Sequence, residues 1–159
     1  MKLASFLAAH ARATPDKDAV ICGAERLTFA QLHDSTDRLA NALRTLGVGI
    51  GDRVAIQLQN TVEFVRAFLA ITKAGGIAVP VNTRLAPGEI AYILADSAPK
   101  AVFVSDETRE LYERAAADAK GVIRIAAAPG TRWWSSRWCA CASSCVSQRR
   151  CSGPSSFRS

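Results

Sequence analysis

Apolar positions in this chain switch between two periods, and the switching predicts its elements. Val54 to Leu58 is a short apolar run with one glutamine, the pattern of a strand covered on both faces. Phe64, Phe68 and Ile71 then recur at helical spacing, flanked by Val65, Leu69 and Thr72, which predicts a deeply packed helix. Asn60 is placed to cap that helix, with Glu63 three residues on able to reach back to it. Gly75 and Gly76 end it, because glycine accepts the left-handed conformation that a helix C-terminus needs. Ile77 to Val81 reads as a second strand, and strand, helix, strand in this order is the βαβ crossover of a parallel sheet.

The pattern extends both ways. Residues 2–13 carry Leu3, Phe6, Leu7 and His10 at helical spacing, and Pro15 stops them. Val20 to Cys22 and Glu25 to Thr28, joined by Gly23-Ala24, predict a hairpin. Thr28 and Gln31 form a capping box for a helix lined by Phe29, Leu32, Leu39, Leu43 and Leu46, closed by Gly47. Downstream, Pro87 opens a helix to about Asp96 with Ile90, Ile93 and Leu94 facing inward, and Ala101 to Val104 is a buried strand. Ser105 or Asp106 caps a helix expected to run to about Ala119, with Glu110 and Arg114 paired across one turn. Val122 to Ile125 is the last strand. Strand starts at 54, 77, 101 and 122, each gap holding one helix, predict an open, mainly parallel α/β sheet with helices on both faces.

Composition divides the chain of 159 residues. Residues 131–159 lack Leu, Ile, Asp, Glu and Lys, yet hold all three Trp and four of the five Cys. Arg132, Arg137, Arg149, Arg150 and Arg158 lie there, so most of the net charge of +6 belongs to this tail and the body is nearly neutral. A neutral body gives no reason to expect nucleic acid or an anionic membrane as partner. No run approaches the roughly 18 apolar residues of a membrane span, and nothing at the N-terminus reads as a signal peptide, so the cytoplasm is expected. The lone body cysteine, Cys22, agrees with a reducing compartment.

Gly51-Asp52-Arg53-Val54, Asn60, Glu63-Phe64, Lys73-Ala74-Gly75-Gly76, Pro80 and Asn82-Thr83-Arg84-Leu85 together resemble the N-terminal region of adenylate-forming enzymes, in particular acyl-CoA synthetases. Thr28-Phe29-Ala30-Gln31-Leu32 and Arg38 to Leu43 upstream, and Pro87-Gly88-Glu89-Ile90, Tyr92-Ile93-Leu94 and Asp96-Ser97 downstream, extend the likeness in order over about residues 1–128. The resemblance implies an incomplete N-terminal part of that fold over 1–128, followed by an irregular tail, 129–159, expected to be disordered. For the parent family it implies a ligase that uses ATP, magnesium and coenzyme A. Such enzymes join a carboxylic acid to AMP with loss of pyrophosphate, then pass the acyl group to the coenzyme A thiol.

The groups that perform this chemistry in similar enzymes have no counterpart here. Absent are the Ser/Thr/Gly-rich loop ending in Pro-Lys-Gly, the magnesium-side acid, the adenine motif, the ribose-binding Asp and the C-terminal domain with its lysine. No catalytic or metal residue is therefore assigned, no cofactor is expected for this chain alone, and it should lack ligase activity. Gly47-Val48-Gly49-Ile50-Gly51 is glycine-dense, but it follows a helix and precedes a strand, the reverse of the order that aims a helix N-terminus at a phosphate. It reads as a connection. Lys73 is expected to be a solvated lysine at a helix end, Phe64 and Phe68 core, and His10 and His33 structural or exposed. Asn82 and Arg84, just past the C-terminal end of a strand, are the candidate substrate-binding residues, with loop-fixing hydrogen bonds the competing use.

In the tail, Cys139, Cys141, Cys145 and Cys151 have the spacing C-x-C-x3-C-x5-C, not the paired C-x2-C of structural zinc sites. Its Trp and Arg residues could stack on single-stranded nucleic acid, but without a folded context this is a weak reading. An out-of-frame translation of GC-rich DNA beyond about residue 128 explains the composition more simply. The competing function is a non-catalytic α/β module that binds a partner or small ligand at the strand C-terminal edge. For an enzyme fragment, the last strand would be left as an open edge and a place for self-association.

Overall fold

The computed structural model describes residues 3–116 and 121–127. Helix α1 (Leu3–Ala13) precedes an antiparallel hairpin of β1 (Asp18–Cys22) and β2 (Glu25–Thr28), then helix α2 (Phe29–Thr45). The α/β part follows: β3 (Arg53–Gln57), α3 (Val62–Ala74), β4 (Ile77–Pro80), α4 (Pro87–Ser97), β5 (Ala101–Ser105), α5 (Asp106–Ala115) and β6 (Ile123–Ala127). The last four strands form one parallel sheet in the order β4-β3-β5-β6.

Strand alternation sends residues to two cores. Val54, Ile56, Ala101, Phe103 and Ile125 face α2 and α3, where Leu39, Leu43, Ala67, Ala70 and Ile71 meet them. Ala55, Val102 and Val104 face Ile90 and Leu94 of α4 and Tyr112 of α5 on the other side. A smaller cluster of Leu7, Leu27, Leu32, Val62 and Leu69 fastens α1 and the hairpin to α2 and α3. Burying each large apolar side chain contributes about 1.5–3 kcal/mol, so both sheet faces are anchored.

Local signals act where the sequence places them at α2 and α5. Thr28 and Gln31 form the expected capping box on α2, and Ser105 caps α5 with Thr108 as its partner. Gly75 ends α3 with φ of 92°, and a Cβ on Gly76 would stand 3.1 Å from the Asp52 carbonyl oxygen, a backbone atom that cannot yield cheaply.

Four expectations change. The α3 cap is Thr61 rather than Asn60, and it makes no side-chain hydrogen bond; Glu63 turns inward toward Arg66 instead of back to the cap. Phe64 and Phe68 are half-buried, because α3 approaches the sheet through Ala67, Ala70, Ile71 and Ala74 while the two rings stack 6.4 Å apart on its flank. Helix α5 ends at Ala115, short of Ala119, with Tyr112 its last fully buried residue. Lys73 is not solvated. Its side chain is 7% exposed, and Nζ donates to Asp37 Oδ1 (2.8 Å) and to the His33 carbonyl oxygen (3.0 Å). The tail 129–159, expected to be irregular, and its four cysteines lie outside the described residues.

Candidate functional site

The C-terminal edge of a parallel sheet is where loops diverge, and the strand order here reverses between β3 and β5. From β3 the chain crosses by α3 on one face to β4; from β5 it crosses by α5 on the opposite face to β6. The divergence leaves a cavity of about 280 Å³ between the two strand ends. Leu58, Gln59, Thr61 and Glu63 line it from the β3 side, and Ser105, Asp106 and Glu107 from the β5 side. Its wall therefore carries three carboxylates and neither lysine nor arginine.

Glu63 is the unusual member. It is buried, its Oε1 has no hydrogen-bond partner, and Arg66 Nη1 stands 3.5 Å away, an ion pair at the limit of hydrogen-bond reach. Arg66 also lies 3.7 Å from Glu25, and its own Nε is buried without a partner. Gln57, at the end of β3, is buried with both side-chain polar atoms unpaired, although its carbonyl accepts from Thr108 Oγ1 at 2.7 Å. Sequence reasoning missed the cavity and the burial of Glu63 and Gln57. The glutamine inside an otherwise apolar strand was the available signal.

The candidate residues Asn82 and Arg84 lie beyond the edge strand β4 and do not line this cavity. Asn82 Oδ1 accepts from the Arg84 backbone N–H at 2.9 Å, an Asx turn leading toward α4, where Glu89 Oε2 accepts from Ala86 N–H at 2.8 Å. The loop-fixing use of Asn82 is thus present. Arg84 is exposed, and among the described residues it makes no ion pair. Its guanidinium is available to an anion arriving at the β4 end.

At the opposite, N-terminal edge, the glycine-rich connection is closed on itself. Asp52 Oδ2 accepts from Gly49 N–H and from Lys100 Nζ, both at 2.8 Å, while Gly51 N–H donates to the Gly75 carbonyl. These donors hold the Asp52 carboxyl below its usual range, Lys100 first and Gly49 second. With the Gly47, Val48, Gly49 and Gly51 amides committed, the loop has no cluster of amides to offer a phosphate. His10 stacks on Phe29 (5.2 Å) and meets Phe6 edge-on (4.3 Å), and serves packing. Among the described residues no cluster of His, Cys, Asp or Glu could hold a metal ion, and an acid-walled cavity does not fit a triphosphate. No helix of the described residues is long and apolar enough to cross a membrane.

Residues 7–143 match the family model for AMP-binding enzyme. The chain is 48% identical over 92 residues to a medium/long-chain-fatty-acid–CoA/3-oxocholest-4-en-26-oate–CoA ligase of Mycobacterium marinum, an alignment covering 57% of this chain and 17% of that protein. It is 36% identical over 103 residues to a 3-hydroxybenzoate–CoA/4-hydroxybenzoate–CoA ligase of Thauera aromatica, covering 65% of this chain and 20% of the relative. The fold superposes on the crystal structure of a benzoate CoA ligase from Burkholderia xenovorans with a TM-score of 0.76 at 30% identity, covering 81% of this chain and 26% of that one. The chain thus spans about a fifth of the length of these curated relatives.

Proposed function

The chain belongs to the AMP-binding enzyme family, and on that premise we propose that it is the N-terminal portion of an ATP-dependent acyl-CoA ligase, without turnover as these 159 residues. In the parent reaction a carboxylate oxygen attacks the α-phosphorus of ATP and pyrophosphate leaves. The coenzyme A sulfur then attacks the acyl carbonyl, AMP departs and the thiol proton is released. Both steps place negative charge on transferring phosphate or carbonyl oxygens, which needs aligned donors and a cation.

One observation carries the proposal of inactivity: the C-terminal edge between β3 and β5 is walled by Glu63, Asp106 and Glu107, opposite in sign to what a triphosphate requires. Magnesium, ATP and coenzyme A belong to the parent family on this reading. Arg84, free at the end of β4, is the candidate to meet the carboxylic acid or a phosphate of coenzyme A, with Asn82 shaping its turn. Relatives acting on both fatty and aromatic acids align with the chain, so the substrate class is set by sequence outside it. A cytoplasmic location is part of this reading.

The test is acyl-CoA formation by the purified chain with ATP, magnesium, coenzyme A and a panel of fatty and aromatic acids. The expected result is no product above the protein-free control; clear turnover overturns the proposal. We further infer that the family's frame ends near residue 128 and that 129–159 is an out-of-frame segment. The family match reaches residue 143, so the decisive observation is translation of the other two frames beyond codon 128. The missing Ser/Thr/Gly loop should appear in one of them, and its absence from both refutes the frameshift.

A further inference from the structure

Strand β6 carries a feature that the proposed ligase reaction does not use. Ile123 N–H donates to the Lys100 carbonyl, and in the parallel register Phe103↔Ile125 the next amides to face β5 are those of Ile125 and Ala127. Arg124 and Ala126 therefore turn both N–H and C=O away from the sheet, and among the described residues no strand lies beyond them. Both residues are exposed, while Ile125 between them is buried. The opposite edge differs, because β4 ends in Pro80, whose missing N–H breaks the same ladder.

We propose that β6 pairs with the β6 of a second copy of this chain, antiparallel about a twofold axis at Ile125, joining two four-stranded sheets into one. Hydrogen-bond pattern and charge select that register. Antiparallel strands exchange N–H···O bonds between residues that both face outward. Setting Arg124 opposite Arg124 of the second copy puts like charges face to face, and an axis on Ala126 pairs that residue alone within β6. Setting Arg124 opposite Ala126 uses every outward group of both residues in both copies. Each guanidinium then lies beside a small side chain and keeps Glu113 of α5, 3.3 Å away, as its counter-ion. On the other face Ile125 meets its own copy as a close, non-hydrogen-bonded pair of β-branched residues, which suit a sheet surface.

The pair closes on itself. It consumes the outward residues of both β6 strands and leaves only the proline-ended β4 edges, so assembly stops at two copies. A strand of five residues covers less than the roughly 1,200 Å² of the smaller stable interfaces, so the dissociation constant is micromolar or weaker. The interface rests on the sheet edges and stands apart from the ligase reading.

Two variants of the full chain, Arg124→Cys and Ala126→Cys, test the register by mild oxidation and peptide mapping. Both positions are exposed, so neither substitution opens the core. Across the proposed axis the Cα atoms of 124 and 126 stand about 5.5 Å apart, within disulfide reach, whereas 124 with 124, or 126 with 126, are diagonal at about 7–8 Å and beyond it. An equimolar mixture should give a disulfide from 124 of one copy to 126 of the other, and each variant alone should give little linkage of that position to itself. Light scattering on the unsubstituted chain should show the average mass rising with concentration from one chain to two and no further. No 124-to-126 disulfide from the mixture, or equal linkage in either variant alone, overturns the register. A mass that stays at one chain up to about 1 mM, or that grows past two, overturns the closed pair. So does a disulfide within one copy from position 124 or 126 to Cys139, Cys141, Cys145 or Cys151, which would assign the edge to the chain's own tail.

Discussion

At the scale of single residues, two lysines near helix and strand ends tie the scaffold together without touching the candidate site. Lys73 is the plainer case, because helix periodicity places it at the end of α3 but does not say that α2 will pack against that end. An ammonium only donates, so His33 Nδ1, 2.9 Å away, accepts, and His33 Nε2 faces Asp37 Oδ2 at 3.3 Å. Lys73→Met removes the donor from three acceptors, and with Asp37 half-exposed we expect a loss of about 1–2 kcal/mol, read by urea unfolding. Lys100 and Asp52 make the second tie. The Asp52 carboxyl is held below its ordinary value by Lys100 and the Gly49 amide, so its contribution is present above the unfolded-chain value of 3.8 and is lost as pH falls below it. Asp52→Asn should therefore flatten the acid limb of the stability profile while leaving its alkaline side unchanged in slope. An acid limb as steep as in the parent chain would refute this.

At the scale of elements, the βα rhythm was legible because each strand is a short apolar run between turn residues and each helix has a broad stripe. What was hidden depends on neighbours. The capping box at Thr28 is local and could be read; at α3 the cap is Thr61, and Glu63 pairs with Arg66 three residues on in the same helix, whose guanidinium also faces Glu25 of the hairpin, a neighbour that helix periodicity does not reveal. The two sheet edges also differ in a way that composition does not reveal. Ile77 donates to the Asp52 carbonyl just before β3 and Val81 to that of Ile56 within it, so the backbone N–H positions of Ala78 and Pro80 face outward from β4, and proline has no N–H to offer a further strand. On β6, Ile123 donates to Lys100, which turns the amides of Arg124 and Ala126 outward without a strand partner among the described residues. Self-association is therefore expected through β6 and not β4. Ala126→Pro removes an outward amide only, and light scattering after size exclusion should show a shift toward monomer. An unchanged distribution would mean that β6 is not the contact, as the reading of a self-sufficient module requires.

At the scale of the whole molecule, the order of motifs located the chain within the AMP-binding enzyme family before any coordinates, and the parallel sheet with both faces covered agrees. The acid-walled cavity was not legible, because Glu63 and Glu107 lie 44 positions apart in sequence and meet only once β3 and β5 pair. The central claim is that these residues supply a scaffold without the groups that grip a triphosphate. The most direct measurement is titration of the purified chain with ATP and magnesium. The account predicts no saturable binding up to about 1 mM, whereas saturable binding in the micromolar range, about −8 kcal/mol, would contradict it.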